Sequence, residues 1–132
     1  MKIKASMRVV LFTLALVLLS GCASTPVAND PAALVNNFQQ PIERVQIAAV
    51  DALVVTGFDI KKQEPEYVEG FRPPKIGLVV GSGGETVGIW LTEQGANGTR
   101  VTVDTAKSFV GIIGQRNWNT QVMDEMTKAL TK

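Results

Sequence analysis

The sequence contains no histidine and only one cysteine among its 132 residues. Histidine is the commonest general base and the commonest zinc ligand, so its absence excludes the usual forms of both chemistries. A single cysteine allows no internal disulfide, so a folded domain must depend on the packing of its core. These absences argue against an enzyme and against a metal site.

The first 21 residues have the layout of a secretory signal peptide. Three cations at positions 2, 4 and 8 precede an apolar run from Val9 to Leu19, in which Thr13 is the one polar side chain. The run is shorter than the roughly 20 residues needed to cross a bilayer. Small residues follow it, as they do at a signal-peptide cleavage site.

The stretch Leu19-Ser20-Gly21-Cys22 resembles the lipobox of bacterial lipoproteins. The resemblance implies removal of residues 1–21 and attachment of a diacylglycerol and an N-acyl lipid to Cys22, with no other cofactor. Ala23 stands where an aspartate would resemble an inner-membrane retention signal. We therefore expect an outer-membrane anchor with the domain facing the periplasm, and exposure at the cell surface stays open. The alternative is an ordinary secretory signal with an unmodified cysteine beside the cleavage site.

Removal of the signal also changes the charge balance. The whole chain has 13 Lys+Arg and 12 Asp+Glu, and the three cations of the signal leave 10 against 12, a net charge of −2. A slightly acidic mature chain has no general attraction for nucleic acid or for anionic lipid. We expect no nucleic-acid partner.

The mature chain divides into a predicted tether, residues 22–40, and a domain, residues 41–132. Asp30-Pro31 could start a short helical turn over residues 32–35 of the tether. Periodicity in the domain predicts an α+β fold, with helices over 41–56 and 119–130 and strands over 58–63, 67–72, 86–93 and 99–106. We expect a four-stranded antiparallel meander with both helices on its apolar face. The other face of the sheet would be exposed to solvent and would carry Lys61, Arg100, Thr102 and Asp104.

Three segments of the domain resemble small Gram-negative outer-membrane lipoproteins of unknown function: Thr99-Arg100-Val101, Phe109-Val110-Gly111 and Gln115-Arg116-Asn117-Trp118. The order of elements over residues 41–130 is also similar to the helix-grip domains of NlpB-like lipoproteins. The resemblance implies an αββββα periplasmic domain at the outer membrane, and it brings no active site with it.

Two connections are long, apolar and rich in glycine for hairpin loops, and long loops are often functional. They cover residues 73–84 and 108–117, and a meander places them at the same end of the sheet. The first helix would carry the chain from the tether to that end, so we expect the loops to point away from Cys22. Together they predict a partner-binding patch, whose residues are Ile76, Leu78, Val80, Phe109, Ile112 and Ile113, with Trp90 and Arg100 nearby. Alternatively, residues 76–80 extend a strand and residues 109–113 close the core.

The sequence thus favours a non-catalytic, lipid-anchored module that binds or scaffolds a protein of the cell envelope. The alternative is a small lipophilic-ligand binder with a cavity between the helices and the sheet. The acidic run Glu64, Glu66 and Glu69 could suggest paired carboxylates or calcium, but we interpret it as a solvated edge, because such charges also discourage strand pairing.

Overall fold

The computed structural model of the protein describes residues 25–73, 84–106 and 116–132. Its helices and strands, in chain order, are β1 Leu34–Phe38, α1 Ile42–Val55, β2 Asp59–Glu64, β3 Tyr67–Phe71, β4 Thr86–Glu93, β5 Thr99–Ala106 and α2 Asn119–Leu130. The strands form one antiparallel sheet in the order β1-β5-β4-β3-β2. The expected α+β class is confirmed, but the sheet has five strands rather than four.

The additional strand lies within the predicted tether. Leu34–Phe38 pairs with β5 from Leu34 opposite Val103 to Phe38 opposite Thr99, so the ordered domain begins well before Pro41. The expected helical turn over 32–35 is wrong. Asp30 does accept a hydrogen bond from the Ala32 amide, at 2.7 Å, but the chain then extends into β1. The strand escaped prediction because its middle three residues are exposed and two of them are asparagines.

Helix α1 begins after Pro41, whose extended backbone (φ −60°, ψ 150°) suits the residue before a first turn. It ends in a Schellman motif, because Gly57 has a φ of +89° and the Phe58 amide donates to the Leu53 carbonyl at 2.9 Å. The helix buries one face, which consists of Val45, Ala48, Ala49, Ala52 and Leu53.

Both helices pack on the same face of the sheet, as expected. The core between the layers is filled by side chains from α1, α2 and the inner positions of the strands, among them Leu53, Ile89 and Met126, each fully buried. β2 has a bulge at Lys61, because Ile60 pairs with Gly70 and Lys62 with Glu69. Gly70 is needed for close packing, since a Cβ there would lie 3.0 Å from the Cβ of Phe58.

Candidate functional site

The predicted partner-binding residues divide into two groups. Trp90 and Arg100 lie on β4 and β5, on the sheet face that carries no helix, which we call the outer face. Cys22 and the six apolar loop residues lie outside the described residues; the six are Ile76, Leu78, Val80, Phe109, Ile112 and Ile113. The described residues that flank the two loops still show where each loop starts and ends.

Both loops start and end at one end of the sheet. Phe71, Thr86 and Ala106 are neighbours in one cross-strand row, and the loops leave and enter just beyond them. The chain on either side of the first loop stays paired, because the Arg72 amide donates to the Glu85 carbonyl at 3.0 Å and the Gly84 amide donates to the Arg72 carbonyl at 2.7 Å. The expected proximity of the two loops is therefore confirmed for their flanking residues.

Trp118, which precedes α2, organises this end of the domain. It is 3% exposed, so it belongs to the core. Phe58 meets it edge-on with 5.4 Å between ring centroids. The guanidinium carbons of Arg72 and Arg116 lie 4.4 Å and 3.7 Å from its ring centroid. Cations this close to an indole are attracted by its π electrons, with about 0.5–2 kcal/mol for each contact. One arginine comes from each loop flank, so the indole ties the two flanks together.

Glu85 is the buried carboxylate of the same region and is fully inaccessible to solvent. Its Oε1 accepts a long hydrogen bond from the Arg116 amide at 3.4 Å, while Oε2 is buried and has no hydrogen-bond partner among the residues that the structure describes. Burial of a carboxylate is costly unless positive groups compensate it. Arg72, Glu85, Arg116 and Trp118 form what we call the root cluster, which holds the bases of both loops.

The start of α2 is fixed to the same end of β5. The Thr105 hydroxyl donates to Asn119 Oδ1 at 2.6 Å and accepts from the Trp118 amide at 3.0 Å. Asn117 Oδ1 accepts from the Asn119 amide at 2.8 Å, while the residue at the N-cap position is Trp118, whose side chain makes no capping hydrogen bond. These bonds set Trp118 against the loop flanks.

The outer face is partly covered, whereas the sequence predicts a face exposed to solvent. Asp104 is only 5% exposed, and the expectation that it would be wet is wrong. Residues 25–33, which we call the N-terminal strap, lie across it. The Val27 amide donates to Asp104 Oδ2 at 2.8 Å. Pro26 is buried against Gly88. The contact is so close that a Cβ added to Gly88 would lie 2.8 Å from the Cβ of Pro26. Lys61 and Arg100 are exposed, as expected, and Thr102 is partly exposed.

The strap lies near the end of the sheet from which the two loops leave. Gly88 and Asp104 are direct partners in the sheet, two residues from the row where the loops begin and five from the opposite end of β4. Asn119 Nδ2 at the loop end donates to the Ala32 carbonyl of the strap at 2.9 Å. The strap therefore lies nearer to the end of the sheet where the loops begin than to the far end. The direction of the loops relative to Cys22 stays a prediction, because both lie outside the described residues.

A row of side chains crosses four strands of the outer face beside the strap. Cross-strand partners bring together Tyr67, Trp90, Thr102 and Val35, which we call the outer row. The rings of Tyr67 and Trp90 are 5.1 Å apart at a tilt of 42°, and both are half-buried. Arg100 lies diagonally to Trp90, opposite Thr92. Arg100 is six residues from Ala106, so it does not adjoin the loop flanks.

Tyr67 is held in this row by an acidic neighbour. Its hydroxyl donates to Glu69 Oε2 at 2.6 Å. Burial of the ring, this hydrogen bond and the nearby carboxylates raise the pKa of the phenol well above its ordinary value. Glu69 is also 3.9 Å from Lys62 Nζ. Glu69 therefore belongs to the outer face, where Glu64 of the same acidic run is the direct cross-strand partner of Tyr67.

A shallow acidic groove lies at the end of the sheet opposite the loops. Its lining includes Glu43 of α1, Glu64 and Glu66 of the β2–β3 turn, and Glu93 of β4. Within the described ranges no group of three or more acidic, histidine or cysteine side chains is placed to hold a metal ion. Glu64 and Glu66 are exposed, in keeping with the interpretation as a solvated edge.

No protein-family model matches the sequence, and none of the curated proteins matches it. None of the helices in the described parts of the chain is long and apolar enough to cross a membrane. Sequence reasoning missed the strap, Asp104 and the root cluster. The isolated Glu85, between a glycine-rich loop and an apolar strand, was the one local signal of a buried charge.

Proposed function

We propose that this protein is a lipid-anchored, non-catalytic module of the cell envelope, held in the outer membrane through Cys22, which binds a periplasmic protein through its two apolar loops. The observation that carries the proposal is the root cluster. It fixes the bases of both loops at one end of the sheet, with Trp118 between the two arginines that flank them.

The chemistry of the loops suits a protein partner. Residues 76–80 and 109–113 carry apolar side chains between glycines, and neighbouring apolar loops on a rigid base form the kind of patch that binds proteins. The small Gram-negative lipoproteins that the chain resembles provide the same setting, an outer-membrane protein that faces the periplasm.

The ligand-cavity alternative has less support. The space between the helices and the sheet is occupied by buried side chains of the described residues, including Val45, Val68 and Val122. The acidic groove beside Glu43 and Glu66 lies at the surface and does not suit a lipophilic molecule.

Crosslinking in living cells tests the proposal. A photo-reactive amino acid at Leu78 or Ile112 should trap one specific envelope protein, whereas the same group at exposed Glu66, at the opposite end of the sheet, should not. A Cys22→Ser variant should lose its acyl label and the crosslink together. If Leu78 and Ile112 give no product, or the same products as Glu66, the loops are not the binding surface.

A further inference from the structure

We propose that the outer face of the sheet rests on the surface of the membrane that holds the lipid, with the outer row as its contact. The inference depends on the proposed attachment of lipid to Cys22. In this orientation the outer face contacts the membrane interface, and the two helices lie on the side of the domain away from the membrane.

The length of the free tether carries the argument. Pro26 is packed on Gly88 in the middle of the outer face, and Cys22 precedes it by four residues. A fully extended chain spans at most about 3.6 Å per residue, so Cys22 lies within about 14 Å of Pro26. A lipid on that cysteine must enter the membrane, which brings the bilayer surface to the same side of the domain as the strap.

The strap is held at more than one point, so the tether does not lengthen freely. The Val27 amide is bonded to buried Asp104 at 2.8 Å. The Asp30 amide donates to the Val27 carbonyl at 3.1 Å, and the Ala33 amide donates to the Asp30 carbonyl at 3.0 Å, so the strap is folded into consecutive turns. Asn119 holds the Ala32 carbonyl. Release of the strap would cost these bonds together with the burial of Pro26.

The side chains around the strap suit a membrane interface. Tryptophan and tyrosine are enriched at the level of lipid headgroups, because their rings are apolar and their polar atoms remain hydrated. Here Trp90 and Tyr67 stack side by side on the outer face. Val35 and Val27, at the other end of the outer row and in the strap, are 43% and 53% exposed, which provides apolar contact without deep insertion.

Cations border the same face. Lys62 and Arg100 lie on the outer side of β2 and β5, and Lys61 Nζ lies 5.8 Å from the ring centroid of Phe71. Long cationic side chains can extend to phosphate groups while their carbon stems cover apolar surface. Two acids accompany them: Glu69 is bonded to Tyr67, and Glu64 is the cross-strand partner of Tyr67.

The helix layer is the competing surface, since Ile47, Val54 and Val55 of α1 are 61%, 58% and 70% exposed. It lies on the opposite side of the sheet. A helix with its side chains is about 10–12 Å thick and packs about 10 Å above a sheet, so the outer side of α1 is farther from Pro26 than Cys22 can reach. The tether therefore favours the outer face over the more exposed apolar stripe of α1.

Spin labels on the lipidated full-length mature protein test the orientation in vesicles of phosphatidylethanolamine and phosphatidylglycerol. The sulfur of Cys22 carries lipid, so Thr92→Cys on the outer face and Asp51→Cys on α1 each create a single free thiol at an exposed position. The ratio of collisions with oxygen to collisions with a water-soluble nickel chelate should be at least threefold higher for the label at residue 92 than for the label at residue 51.

Equal ratios, or a higher ratio at residue 51, in protein that floats with the vesicles would overturn the orientation and leave the anchor intact. Failure to float would remove the anchor and the orientation together. A label at residue 92 that becomes shielded from both reagents only when periplasmic proteins are added would assign the outer face to a protein, which also contradicts the proposal.

Discussion

The bond between the strap and Asp104 predicts how tightly the tether is held. In an Asp104→Ala variant the Val27 amide loses its acceptor, and Pro26 is then held by packing alone. A hydrogen bond to a charged group contributes about 1.5–3 kcal/mol. Since 1.36 kcal/mol corresponds to a factor of ten, release of the strap should become roughly 10- to 150-fold more favourable.

Hydrogen exchange of the protein in detergent measures this release. The amide of Val27 should exchange roughly 10- to 150-fold faster in Asp104→Ala, while amides in the middle of β4 keep their rates. Asp104→Asn retains a neutral oxygen acceptor, and hydrogen bonds between neutral groups are about half as strong, so its effect should be intermediate.

Asp30→Ala is the matched control, because Asp30 accepts its strap hydrogen bond, from Ala32, at an exposed site. It should change the exchange of Val27 much less than Asp104→Ala does. The reasoning fails if Val27 exchanges at the same rate in the parent protein and in Asp104→Ala, since the strap would then not depend on the carboxylate.

Three further predictions concern the outer face, the helix start and the core. Tyr67 is the only tyrosine, and its pKa is raised above 10.0, so tyrosinate absorbance should appear at higher pH in the folded protein than in denaturant. Because the unfolded state then loses the proton first, stability should fall as the pH rises above 10.0. Thr105→Val leaves the Trp118 amide and Asn119 Oδ1 without their buried partner and should cost about 1–3 kcal/mol in denaturant unfolding. Leu53→Ala should cost about 2–5 kcal/mol in the same assay.

Each of these predictions has its own control. Tyr67→Phe should abolish the tyrosinate absorbance and reduce the loss of stability at alkaline pH. If tyrosinate appears at the same pH in the folded and the denatured protein, the prediction for Tyr67 is wrong. Thr92→Val, at an exposed site, should change the free energy of unfolding by less than about 0.5 kcal/mol. An equally small effect of Thr105→Val would contradict the prediction for the start of α2. Val54→Ala, on the exposed side of α1, should change the free energy of unfolding only slightly. If it destabilises the protein as much as Leu53→Ala does, the prediction for the core is wrong.

The sequence predicted the elements whose periodicity is strong. The bounds of β4, β5 and α2 agree with the structure, and α1 differs by one residue at each end, because apolar spacing defines all four. β1 was missed because only its two end residues, Leu34 and Phe38, pack against the core. An edge strand of this kind is defined by its partner, and the partner is more than 60 residues away in the chain.

The candidate site shows the same limit more strongly. Alternation placed Arg100 and Asp104 on one face, but it could not show that Asp104 is covered, because residues 26 and 27 of the strap provide the cover. Local sequence patterns could not predict the root cluster either, since its four residues come from three separate segments of the chain. Local patterns identify faces and ends, whereas tertiary contacts between distant segments decide which of those surfaces are free.

Under the proposed export and acylation, the bond between Val27 and Asp104 also implies an order of events. The two residues are 77 positions apart, so the strap has no docking site until the chain as far as β5 is available. Until then the strap does not hold the proposed acylation site at Cys22 close to the sheet. We expect the strap to dock after β5 has paired, so that maturation of the cysteine precedes the step that shortens the tether.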